Sequence, residues 1–160
     1  MNECIDTIVQ RKSIRSYLSK PIPESEKQLV LDAMLRAPTA GNQMLYSVVD
    51  VESAELKSRL AETCDHQAFI AEAPWVLVFL ADFQRMYDFF QYSDIASLVK
   101  KGTAPETKPQ EADLLLAACD TLIAAQTAVI AAESLGLGSC YIGDIMENYE
   151  THRQLLHLPP

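Results

Sequence analysis

The sequence predicts an α+β fold, a sheet flanked by helices, in one domain. Helical patterns outnumber the short β-branched runs, and those runs are too few and too separated for a doubly wound parallel sheet. The 160 residues are 49% hydrophobic, enough for a single domain with a real core. No internal repeat, low-complexity tract or linker divides the chain.

In chain order, residues 3–10 read as a short helix ending at the basic cluster Arg11-Lys12-Ser13-Ile14-Arg15. Pro21 and Pro23 stiffen the connection to a second helix from about Glu24, whose acidic first turn suits the helix dipole. Leu29, Val30, Ala33, Met34 and Ala37 form its expected buried stripe, and Pro38 stops it. Thr39 to Asn42 is a turn, Tyr46 to Val51 a strand, and Glu52 to Thr63 a helix by pattern. Trp75 to Ala81 is continuously apolar, as a central strand covered on both faces would be. A helix from about Phe83 to Lys101, a loop from Gly102 to Gln110 and a long apolar helix follow. Leu137 to Ile142 as a strand and Tyr149 to Leu156 as a helix complete the reading.

The stretch from Leu114 to Ala132 is just long enough to span a bilayer. Asp120, Thr121, Gln126 and Thr127 interrupt it, and a mid-span carboxylate is costly in lipid. It therefore reads as a central helix without a membrane role. Its many alanines (Ala117, Ala118, Ala124, Ala125, Ala128, Ala131, Ala132) permit close helix approach, which points to a subunit interface. A net charge of −9 argues against sequence-independent nucleic-acid binding. The start carries Glu3 and Asp6 and no basic segment, unlike a signal peptide. Cys4, Cys64, Cys119 and Cys140 are scattered and read as small buried hydrophobes in a reducing cytoplasm.

Motifs for protein-borne chemistry are missing from the sequence. There is no GxGxxG after a strand, no GxxxxGK[ST], no HExxH and no GxSxG. His66, His152 and His157 share no ligand spacing with the cysteines, so no metal is expected.

Four features instead look suited to a bound cofactor. Arg11, Lys12, Ser13 and Arg15 offer three cations and a hydroxyl, a set that suits phosphate oxygens. Alone, such a cluster is more often a solvated loop. Pro38-Thr39-Ala40-Gly41-Asn42 is a turn of small residues that lets a flat ligand approach backbone, though alone it is a helix stop. Gln67 carries a primary amide, donor and acceptor together, which matches an imide-type ring edge. Three of the chain's 5 glycines (Gly136, Gly138, Gly143) fall between Gly136 and Asp144, where backbone would work at close quarters.

In order and spacing these features resemble the FMN-dependent nitroreductase family. The resemblance rests on RKSIR (Arg11–Arg15), APTAGN (Ala37–Asn42), DHQAFIAEAPWVLVFLAD (Asp65–Asp82) and AAESLGLGSCYIGDI (Ala131–Ile145), and covers essentially the whole chain. It implies a mixed, mainly antiparallel sheet and a homodimer with FMN at the subunit interface. By the same resemblance, Arg11 and Arg15, assisted by Lys12 and Ser13, would hold the FMN phosphate. Pro38, Thr39, Ala40 and Asn42 would reach the flavin from the partner subunit, and Gln67 would pair with its pyrimidine edge. Tyr141, Ile142, Gly143 and Asp144 would lie over the ring, with backbone N–H groups toward its reactive edge.

Three departures accompany the resemblance. The chain reads Asn42-Gln43-Met44-Leu45-Tyr46 where many relatives have Asn-x-Gln-Pro-Trp. Asp144 stands where glycine or glutamate is frequent. The sequence stops at Pro160, where relatives continue through a further strand and a basic tail. The implied activity is a ping-pong transfer of electrons from NAD(P)H, through the flavin, to a nitroaromatic, quinone or similar small acceptor. No side chain is expected to be catalytic, because the flavin carries the chemistry. A non-catalytic flavin-sequestering protein is the alternative on the same fold.

Overall fold

The computed structural model describes residues 2–93 and 109–159. Helix α1 (Glu3–Gln10) is capped by the Asn2 side chain, which accepts the Cys4 N–H at 3.0 Å. Helix α2 (Glu24–Met34) follows, then a single 3-10 turn at Ala40–Asn42. Strand β1 (Tyr46–Asp50) pairs antiparallel with β2 (Leu77–Ala81), with Tyr46 opposite Ala81 and Asp50 opposite Leu77. Between them lie α3 (Ala54–Thr63), started by the Ser53 hydroxyl accepting the Leu56 N–H, and the short α4 (Ala68–Glu72). Helix α5 (Gln84–Tyr92), the long α6 (Glu111–Ser134), a 3-10 turn at Asp144–Met146 and α7 (Tyr149–Leu155) complete the order. The remainder of the expected helix to Lys101 and most of the loop to Gln110 lie outside the described residues.

Period-two alternation splits the two strands between two cores. Tyr46, Val48 and Phe79 face α2 and α6, where Val30, Met34, Ala37, Ala124 and Ala128 pack. Val49, Val51, Val78 and Leu80 face Leu60, Ala61 and Cys64 of α3 and Ile70 of α4. Ile142, Ile145 and Leu156 close over this second core, so the tail of the chain is anchored to α3.

Four expectations are corrected. Leu29 is 55% exposed, and Leu31 packs in its place, because the buried positions of α2 run Val30, Met34, Ala37. β2 is covered on both faces as expected, but among the described residues it belongs to a two-stranded sheet and is not central. The segment 137–142 is no strand, since its only ladder partner among the described residues is one parallel bridge, Ser13 to Ser139. Of the cysteines only Cys64 is buried; Cys4 and Cys119 are exposed and Cys140 is half-buried.

Among the described residues α6 alone is long and apolar enough to cross a membrane by length and composition. Its alanines, however, make their close approach within this chain. Ala117, Ala124, Ala125 and Ala128 are all buried, Ala124 and Ala128 against α2 and the sheet. The large apolar side chains face outward instead: Leu115 and Leu122 are 67% and 63% exposed. With Cys119 and Gln126 they form a stripe at i, i+4, i+7 and i+11.

Candidate functional site

The isolated bridge is what builds the site. Ile14 N–H donates to the Ser139 carbonyl at 2.9 Å, laying the basic segment beside the glycine segment. Gly138 makes that approach possible: a Cβ there would stand 2.5 Å from Ile14 Cγ1 and 3.2 Å from its Cβ. Tyr17 turns back to donate its hydroxyl to the Ile14 carbonyl at 2.8 Å. Its phenol is pushed up by burial and the nearby Cys140, against the pull of Arg15. Tyr141 is likewise pushed up by burial and pulled down by Arg11, so Arg11 is felt at the far end of the glycine segment.

Arg11, Lys12 and Arg15 form no ion pair with a carboxylate among the described residues. In a chain of net charge −9 this leaves a local concentration of free positive charge. Arg15 instead sits over the Phe69 ring, 6.0 Å from its centroid, which ties the basic segment to α4.

Gln67, immediately before α4, is the second corner. Its Nε2 donates to the Cys64 carbonyl and to Asp144 Oδ2, each at 2.9 Å. Two predicted site residues 77 positions apart are thus in direct contact. Asp144 opens the 3-10 turn, and among the described residues other than its chain neighbours no heavy atom lies within 4 Å of where a Cβ on Gly143 would stand. The backbone beside Gly143 is therefore open to a ligand.

Buried groups hold this corner from behind. His152 is 3% exposed and donates from Nδ1 to the Ile145 carbonyl at 2.7 Å. Its Nε2 meets Thr63 Oγ1 at 2.8 Å and Cys64 Sγ at 3.7 Å. The Cys64 thiol is pushed up by burial first, then by the carboxylates of Asp144 and Glu147, so it stays protonated.

The Pro38–Asn42 turn lies elsewhere. Asp120, buried on α6, accepts the N–H groups of Ala40 at 3.2 Å and Leu45 at 3.3 Å. Gly41, Asn42 and Met44 take positive φ of 57°, 56° and 51°, a sharp backbone path pinned at both ends by one carboxylate. No hydrogen bond among the described residues joins this turn to Arg11–Arg15, Gln67 or Tyr141–Asp144. By their hydrogen bonds among the described residues, then, the predicted residues fall into two groups.

Sequence reading missed Asp120 as an organiser, although a carboxylate inside an apolar run is itself a signal. It also missed Phe69 beneath Arg15 and His152 behind the turn. No spacing rule points to either.

The first group combines cations with no carboxylate partner among the described residues, an amide and open backbone, a set that fits a phosphate-bearing ligand with a planar imide ring. Comparison with known proteins agrees with that fit. The chain belongs to the Nitroreductase family, whose family model matches residues 8–160. It is 33% identical over 160 residues to a Bacillus subtilis protein named FMN reductase [NAD(P)H], covering 99% of this chain and 61% of that one. It is 32% identical to the NADPH-flavin oxidoreductase of Vibrio harveyi, again covering 99% and 61%. Among solved structures, nitroreductase A from Vibrio parahaemolyticus superposes with a TM-score of 0.86 at 33% identity, covering 99% of this chain and 63% of that one. The chain thus spans about three-fifths of the length of these relatives.

Proposed function

We propose that the protein is an FMN-dependent oxidoreductase that passes electrons from NAD(P)H to a nitroaromatic, quinone or similar small acceptor. The observation that carries this reading is the junction of Arg11–Arg15 with Gln67 and Gly143–Asp144. It presents free cations, an amide edge and accessible backbone around one surface. The relatives' names, FMN reductase and NADPH-flavin oxidoreductase, support the same chemistry.

In this reading Arg11 and Arg15, with Lys12 and Ser13, hold the FMN phosphate, and Gln67 reads the pyrimidine edge. Tyr141, Ile142, Gly143 and Asp144 cover the ring and offer backbone N–H groups to its reactive edge. Bound FMN supplies hydride acceptance from NAD(P)H and its delivery to the acceptor, in ping-pong order through one cleft. The protein's part is to bind, orient and tune. No side chain acts as acid, base or nucleophile.

Residues 1–160 act as one domain within a homodimer in this proposal. The outward stripe of α6 and the exposed Ile5, Ile8 and Val9 of α1 supply an apolar surface for a second copy. Pro38, Thr39, Ala40 and Asn42 would serve the partner's flavin, which accounts for their separation from the first group. The assembly is cytoplasmic, with no role for membrane or nucleic acid.

The test is the visible absorption spectrum of the purified protein, followed by NAD(P)H oxidation with a quinone. A flavin spectrum, FMN on chromatographic release and steady turnover are expected. Retained FMN without turnover would favour a sequestering protein; a colourless protein that takes up no added FMN would end the proposal.

A further inference from the structure

The Gln67 amide has both of its donors committed. A primary amide carries two N–H groups and one acceptor oxygen. Here Nε2 faces two oxygens that can only accept, the Cys64 carbonyl and Asp144 Oδ2, both at 2.9 Å. Rotating the amide by half a turn would set Oε1 against both acceptors, with no hydrogen between them. The orientation is therefore fixed by chemistry, and Oε1 makes no hydrogen bond among the described residues.

The two acceptors are themselves fixed. The Cys64 N–H donates to the Leu60 carbonyl at 2.9 Å and the Gln67 N–H to the Ala61 carbonyl at 2.9 Å, so the chain is held to α3 on both sides of the first acceptor. The turn bearing Asp144 is held by His152 Nδ1–H on the Ile145 carbonyl at 2.7 Å and by Met146 N–H on the Gly143 carbonyl at 3.0 Å.

We infer that Asp144 is a positioning and specificity residue: with the Cys64 carbonyl, it turns Gln67 into an acceptor-only contact. The site then selects a ring edge that presents an N–H donor, such as an imide, over one that presents only acceptors or an alkylated nitrogen. This rests on the FMN reading above and adds the polarity of the recognised edge. The carboxylate's role toward Gln67 is geometric, and an uncharged acceptor at position 144 fulfils it too.

Two measurements test it. In the apoprotein, the Gln67 side-chain amide, assigned by its loss in Gln67→Glu, should exchange its protons with water slowly. Asp144→Ala should speed that exchange several-fold, and Asp144→Asn, whose Oδ1 still accepts, should restore it. In binding, the parent should hold FMN roughly tenfold or more tighter than its N3-methyl analogue, the cost of an unpaired acceptor. Asp144→Ala should bring that ratio close to one, while Asp144→Asn keeps it. An unchanged ratio and unchanged exchange in Asp144→Ala would overturn the role of Asp144 and leave FMN binding standing. A parent that binds both flavins equally would overturn acceptor-only recognition. A parent that binds neither would remove the FMN reading itself, and this inference with it.

Discussion

A guanidinium with no carboxylate partner among the described residues of an acidic chain keeps its charge for something else, and Arg15 is that case. Its contact with Phe69 orients it without neutralising it. Arg15→Ala should weaken FMN binding by about 1.5–3 kcal/mol, the scale of one hydrogen bond to a charged group, measured by fluorescence titration of the apoprotein. The two glycines of the site make a sharper comparison. At Gly138 an added Cβ strikes Ile14, so Gly138→Ala should destabilise the apoprotein and loosen the Ser13–Ser139 bridge. At Gly143 an added Cβ meets nothing among the described residues, so Gly143→Ala should leave the apoprotein melt within about 0.5 kcal/mol of the parent. Any loss of FMN affinity in that variant reports crowding of the ligand alone. The cluster of scarce glycines was legible as a site of close approach. Which glycine serves packing and which serves the ligand depends on Ile14, and no local pattern in the sequence encodes that meeting.

At the scale of elements, the starts of α1, α2 and α3 were read within a few residues because helix signals are local. The helix expected to run from Phe83 to Lys101, by contrast, ends at Tyr92, with Ser93 extended, and α4 was not read. The acidic first turn of α2 is such a local signal, while the Ser53 cap of α3 lies inside the helix as it was read from Glu52. The run 137–142 misled because β-branched and aromatic residues resemble a strand whether or not a partner strand exists. Helix α6 was recognised, but its faces were exchanged. Small residues mark where helices come close, and here the close neighbour is α2 in the same chain. Ala124→Glu should abolish folding, since it buries a charge at a position 0% exposed, at a cost of several kcal/mol. Leu115→Glu and Leu122→Glu lie on the outward stripe and should fold as monomers with the parent's helical circular dichroism. Sedimentation velocity distinguishes them. Both variants remaining dimeric would move the subunit interface off α6.

Across the whole molecule, the proposed flavin chemistry and the split of the site each make a prediction. If the flavin carries the reaction, replacing Cys4, Cys119, Cys140, His66 or His157 should leave turnover within roughly tenfold, about 1.4 kcal/mol in barrier. His152→Leu should differ in kind: it strips the Ile145 carbonyl and Thr63 of a buried partner and should cost about 1–3 kcal/mol in the urea melt.

The split makes the strongest test of the assembly. Arg15 and Asn42 belong to separate groups in one protomer, yet both are assigned to the same flavin. If the turn reaches across to the partner, a mixed dimer of Arg15→Glu with Asn42→Ala gathers both lesions into one site and leaves the other intact. If each site is built within its own chain, every site in that mixed dimer carries one lesion. Co-expression with two tags, tandem purification and FMN titration count the tight sites. One tight site per mixed dimer, with none in either parent variant alone, is expected from the crossed arrangement; none in the mixed dimer would place Asn42 and Arg15 in the same chain's site.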